Sequence, residues 1–130
     1  MASVIFDGNI NMSNYLFIPA YIFWSIVSFK DLKVSEPLIK ALTASDINKP
    51  FPIQIATLPD AISGKDILGR GQTGSGKTLA FGLALLTRLS GRNAAPMRPL
   101  ALVLSPTREL AMQINDVIAP LSRSVNLNSQ

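Results

Sequence analysis

At 130 residues the chain has room for one domain, which would bury roughly two-thirds of the surface its unfolded form exposes. Its 48% hydrophobic and 15% charged content excludes a highly charged, disordered chain, and the absence of Cys and His excludes disulfides, thiol nucleophiles, Cys/His zinc sites and a histidine general base. Twelve Lys and Arg against eight Asp and Glu give a net charge of +4, compatible with a polyanionic partner without specifying one.

From Gly8 to Phe29 no residue is charged, and Tyr15 to Phe29 (YLFIPAYIFWSIVSF) is strongly apolar. As a helix these residues would span about 22 Å against a hydrocarbon core of roughly 30 Å, and Pro19 interrupts them. The only charged side chain before them is Asp7, whereas a secretory signal needs basic residues there. Residues 1–28 are therefore expected to be an apolar extension that packs on a domain or partner. A membrane anchor is the less favoured alternative, and the expected location is the cytoplasm.

Ser35 is placed to cap a short helix with Glu36 and Pro37 in its first turn, Leu38, Ile39 and Leu42 facing inward, and an end near Ser45. Ile53 to Leu58 reads as a second helix, stopped by Pro59, with Ala61 and Ile62 resuming a turn before Gly64. Asp66 to Gly69 (DILG) is a short apolar strand. After a glycine-rich loop, Thr78 to Ser90 reads as a helix with Leu79, Phe81, Leu83, Leu86 and Leu89 on its apolar face. Arg92 to Pro99 is an exposed loop, and Leu100 to Leu104 (LALVL) is the run expected of a central parallel strand buried on both faces. A last helix opens at Pro106 or Thr107, with Leu110, Ile114 and Val117 at core spacing, and Pro120 kinks or ends it. The alternation of strand and helix gives an α/β fold with a parallel sheet.

The loop from Gly71 to Thr78 (GQTGSGKT) has Gly71, Gly76, Lys77 and Thr78 at the spacing of a phosphate-binding loop, between an expected strand and an expected helix. Glycines at 71, 74 and 76 let successive amides of Gln72, Thr73, Gly74, Ser75 and Gly76 converge on phosphate oxygens, and the helix N-terminus adds a favourable dipole. Lys77 is expected against the β- and γ-phosphates, and the Thr78 hydroxyl on the Mg²⁺ that bridges them. These two carry the expected chemistry on ATP.

Three blocks together resemble the amino-terminal part of DEAD-box ATP-dependent RNA helicases. Pro50, Ile53 and Gln54 in KPFPIQ are similar to that family's Q motif, with Phe29 at 25 residues before Gln54, where an isolated aromatic is expected. The extended loop GRGQTGSGKT resembles motif I, which more often has Ala in place of Gly71, and Pro106 to Ala111 (PTRELA) resembles motif Ia. The resemblance implies an incomplete RecA-like P-loop domain from residue 29 to residue 130. It also implies that the Gln54 amide reads the adenine edge while Phe29 packs against the base. Pro106, Thr107, Arg108 and Glu109 are implied to grip RNA through its sugar-phosphate backbone. The family usually has Gly where this chain has Asp46, which alters the turn before Pro50.

No Asp-Glu-Ala-Asp or Ser-Ala-Thr block occurs in the sequence, and of Asp60, Asp66, Glu109 and Asp116 none follows an apolar strand as a metal-holding carboxylate would. The expectation is a chain that binds ATP and RNA but neither unwinds RNA nor turns over ATP appreciably by itself. A non-catalytic nucleotide- or RNA-binding fragment and another class of P-loop NTPase are the alternatives; the second leaves KPFPIQ and PTRELA as coincidences.

Overall fold

The computed structural model describes residues 26–129, so the apolar stretch that ends at Phe29 lies mostly outside the described residues, as does all but the last part of the expected 1–28 extension. Where the described chain begins, the Asp31 carboxylate accepts from the Ser28 hydroxyl at 2.6 Å and from the Ser28 amide at 2.9 Å. Those two bonds hold the exposed Asp31 carboxyl below its ordinary range, with Lys30 adding to the effect and slight desolvation opposing it.

Helix α1 spans Glu36–Ala44, α2 Pro52–Ser63, α3 Lys77–Leu89 and α4 Arg108–Ser124. Ser35 is the N-cap of α1, but its side chain makes no capping bond and its hydroxyl is buried without a partner. The cap position is as expected and the capping bond is not made. On α1 the inward side chains are Leu38 and Leu42, both fully buried, with Ile39 partly so.

The second helix departs from the expected stop at Pro59. It runs without a break to Ser63 and ends at Gly64, whose φ of 96° is left-handed. Proline costs a helix interior about 3 kcal/mol by removing one hydrogen bond and crowding the preceding turn. Buried Leu58 just before it, and Ala61 and Ile62 packed on the core just after it, hold both flanking turns in place. The fourth helix passes Pro120 in the same way, pinned by buried Ile118, Leu121 and Ser122.

The buried face of α4 is turned relative to expectation. Leu110 and Val117 are each 39% exposed, and the core contacts come from Ile118, Leu121 and Val125 with Ile114 partly buried. Gly82 of α3 makes the close approach to this face possible, since a Cβ there would lie 3.3 Å from Ile118 Cγ1. The core joins Phe29, Leu32 and Val34 to α1, α2, α3 and α4, and each fully buried Leu contributes about 1.5–3 kcal/mol.

No strand is formed between described residues; the only bridge there pairs Ala95 with Arg98. The expected strand at 66–69 carries a single bridge residue, Gly69, and the one at 100–104 is non-helical chain; neither forms a ladder among the described residues. Leu102 and Leu104 are 77% and 79% exposed, against the expectation of a strand buried on both faces. A parallel strand owes its burial to neighbours on either side, and the described residues leave a cavity of about 830 Å³ between these two segments, floored by Thr57, Phe81 and Leu85. Among the described residues no helix is long and apolar enough to cross a membrane.

Candidate nucleotide-binding site

The loop between residue 70 and α3 is shaped by its glycines. Gly74 and Gly76 have φ of 79° and 81°, a left-handed backbone closed to most residues, and Gly76 is the N-cap of α3. The Gly76 carbonyl accepts from the Ala80 amide at 3.0 Å, while no side chain caps the helix. The first-turn amides of Lys77, Thr78 and Leu79 are therefore left without intrahelical partners, at the positive end of the helix dipole, which is an anion-binding arrangement.

Lys77 folds back over this loop. Its ammonium donates to the carbonyl oxygens of Gly71 at 2.7 Å and Gln72 at 2.5 Å, and lies 3.4 Å from the Ser75 hydroxyl. Three neutral acceptors thus hold a cation beside unpartnered amides, and phosphate oxygens are stronger acceptors for the same charge. The Ser75 amide donates to Gln72 O at 3.3 Å, which closes the turn through Thr73 and Gly74. Gly71 is closely packed: a Cβ there would lie 2.8 Å from Ser75 Oγ and 3.2 Å from Ile53 Cδ1, so a side chain at this position requires those two side-chain ends to shift. Thr78 follows in the first turn, half-buried.

The residues of KPFPIQ reach this loop directly. Gln54 is fully buried; its Oε1 accepts from the Phe51 amide at 2.9 Å, covering the open N-terminus of α2, and its Nε2 donates to Gly76 O at 3.1 Å. One side chain thus caps α2 and tethers it to the start of α3. Both ends of the amide are engaged within the protein, so the adenine-edge contact implied by resemblance would draw on its remaining hydrogen and lone pair. Phe29 is only 3% exposed and belongs to the core cluster with Leu32, Leu38 and Leu42. The structure brings Gln54 to the loop and places Phe29 in the core.

Further along, Pro106, Thr107, Arg108 and Glu109 are all exposed at the start of α4. Thr107 is its N-cap, with Oγ1 accepting from the Leu110 amide at 3.2 Å. Arg108 and Glu109 make no ion pair among the described residues, where the only one joins Lys65 to Asp60. The cavity described above connects the two regions, since its lining includes Lys77 and Thr78 at one side and Ser105 and Pro106 at the other.

The profile of the DEAD/DEAH box helicase family matches residues 51–130, taking in both this loop and the start of α4. The chain belongs to that family. It is 45% identical over 100 residues to the ATP-dependent rRNA helicase RRP3 of Pyricularia oryzae, covering 77% of this chain and 18% of that protein. To the ATP-dependent RNA helicase DeaD of Klebsiella pneumoniae it is 44% identical over 96 residues, covering 74% of this chain and 14% of the relative. The fold is similar to that of the RNA helicase Prp28 from Chaetomium thermophilum bound to ADP, with a TM-score of 0.70 and 33% identity over 76% of this chain and 24% of that one. It is also similar to S. cerevisiae Dbp5 bound to RNA and ADP BeF3, with a TM-score of 0.67 and 34% identity over 75% of this chain and 25% of the other. The chain thus spans a quarter or less of each of these helicases. The α/β RecA-like fold class is that of these helicase domains, and in the described residues it is represented by its helices and loop without a completed sheet.

Proposed function

We propose that residues 29–130 form the first part of an amino-terminal RecA-like domain that binds ATP at residues 71–78 and contacts RNA at residues 106–109, as the corresponding part of an ATP-dependent RNA helicase. The observation that carries this is the Lys77 ammonium held by the Gly71 and Gln72 carbonyls beside the unpartnered first-turn amides of α3. Relatives named as ATP-dependent RNA helicases, and similar structures holding ADP or RNA, support the reading.

Within it, Lys77 leaves its carbonyl partners for the β- and γ-phosphates, and the loop amides close on the same oxygens. No group of three or more Asp, Glu, His or Cys suited to a metal occurs among the described residues. The Thr78 hydroxyl would hold Mg²⁺, which binds through few protein ligands and keeps several waters. Such a metal would neutralise charge on the phosphates. The exposed Thr107 and Arg108, with the amides at the start of α4, meet sugar-phosphate oxygens without reading bases. A cytoplasmic location accompanies this reading.

Residues 1–130 taken alone contain no Asp-Glu-Ala-Asp block to hold metal and orient water, so this polypeptide by itself is expected to bind without appreciable turnover. A fluorescent single-stranded RNA should bind the 130-residue chain with an affinity that falls as salt rises and falls further in Arg108→Ala. A steady-state assay on the same protein should show negligible ATP hydrolysis with or without RNA. Strong RNA-stimulated hydrolysis would contradict the division between binding and turnover, and RNA affinity indifferent to Arg108 would contradict the assignment of the α4 start.

A further inference from the structure

The described residues leave one apolar cavity uncovered. It is about 830 Å³ in volume and is walled by Phe81, Ala84 and Leu85 of α3, by Leu102 and Leu104, and by Ile114 of α4. Pockets of roughly 300–1,000 Å³ bury most of a drug-sized ligand, so several apolar side chains fit here. Leu102 and Leu104 stand mostly exposed at its rim.

The backbone beside the cavity is open as well. Among the described residues, none of residues 66–69 or 100–104 makes a backbone hydrogen bond. Such unpaired amides and carbonyls are a template for an added extended segment. Gly69 stands in a β-bridge, whereas the only bridge that joins two described residues pairs Ala95 with Arg98. The partner of Gly69 is therefore not among the described residues.

Apart from Gln130, the chain outside the described residues is residues 1–25. From Gly8 onward this stretch has no charged residue, and from Tyr15 it is strongly apolar, so it enters an apolar cavity without stripping water from an ion. It is tied to the body of the protein just beyond its end, where Val27 packs on the core and Phe29 is buried in it. Fully extended, 25 residues reach about 80 Å, against a radius of gyration of about 13 Å for a domain of about 100 residues. A tethered segment also acts at an effective concentration of roughly millimolar, an advantage that a second copy in dilute solution lacks.

We propose that residues 1–25 are the cover of this cavity: they lay an extended segment beside residues 66–69 and bury side chains of the run from Tyr15 to Trp24 against Phe81, Leu85, Leu102 and Leu104. The stretch that is too short to cross a membrane then has its place on the open face of its own chain.

Trp24 is the only tryptophan of the chain and lies in this run, so its fluorescence reads the contact directly. In the full 130-residue chain its emission is expected to be blue-shifted and protected from acrylamide, independently of protein concentration. Leu102→Lys combined with Leu104→Lys should shift the emission to the red and remove the protection. Both side chains are mostly exposed, so the helices should be retained, which circular dichroism checks. Phe17→Asp combined with Ile18→Asp, within the segment itself, should have the same effect on Trp24 and should speed hydrogen exchange at the amides of residues 67–69. A wild-type Trp24 as accessible to acrylamide as in a short peptide would overturn the proposal. A protected Trp24 that the cavity substitutions leave unmoved would overturn it too, because the segment would then pack elsewhere. Protection that disappears on dilution would assign the cavity to a second copy of the chain instead.

Discussion

Lys77→Ala is expected to weaken Mg-ATP binding about 100-fold or more while leaving the helical content of the chain unchanged. The ammonium now held by Gly71 O, Gln72 O and Ser75 Oγ is half-buried at the edge of the loop, and no helix of the core depends on it. Charge-assisted hydrogen bonds to phosphate contribute about 1.5–3 kcal/mol each, so losing two of them is more than enough for that factor. Titration calorimetry on the wild type and the variant, with circular dichroism as the control for folding, gives the comparison. Equal affinities would mean that Lys77 bonds its own loop carbonyls in the complex as well.

The largest effect on stability is expected at the opposite face of the same helix. Leu83 is fully buried, one turn and a half beyond Lys77, and Leu83→Ala should cost about 2–5 kcal/mol through lost transfer energy and the cavity left behind. A domain of this size is stable by about 5–15 kcal/mol in all, and this one carries exposed Leu102 and Leu104 beside an unfilled cavity, so the variant should lose much of its cooperative unfolding transition. Urea unfolding followed by far-ultraviolet circular dichroism measures the shift. A midpoint within error of the wild type would show that α3 is not packed as described.

The two helix effects also mark what was legible in the sequence. The start of α3 and the conformations of Gly74 and Gly76 follow from the loop pattern, because a backbone that aims several amides at one point has few solutions. The start of α4 agrees with a helix opening at Pro106 or Thr107, and the structure adds the cap made by the Thr107 hydroxyl. Helix continuity through Pro59 and Pro120 did not follow from the local pattern. The cost of proline is local, whereas the burial of Leu58, Ile118 and Leu121 that offsets it is tertiary. The same limit explains α4, where spacing indicated an apolar stripe but could not say that Ile118 and Leu121, rather than Leu110 and Val117, would meet α3 and α1.

At the site, the sequence pointed to Gln54 and Phe29, and the structure brings the first of them to the loop. Motif resemblance marks side chains by identity and spacing. It carries no information on tertiary packing, which closes Phe29 into the core cluster. The strands were the least legible part. DILG and LALVL have the composition of buried strands, but burial belongs to the sheet as a whole, and within the described residues neither segment has a strand beside it.

The central claim is that the loop at 71–78, tied to α2 through Gln54, binds nucleotide. Its most direct test is a titration of the ¹⁵N-labelled chain with Mg-ATP, followed by amide NMR. The account predicts saturable shifts concentrated at residues 71–79 and 51–54, with those of α1 and the end of α4 nearly unmoved. Saturable shifts centred away from both segments, or no shifts at millimolar nucleotide, would contradict it.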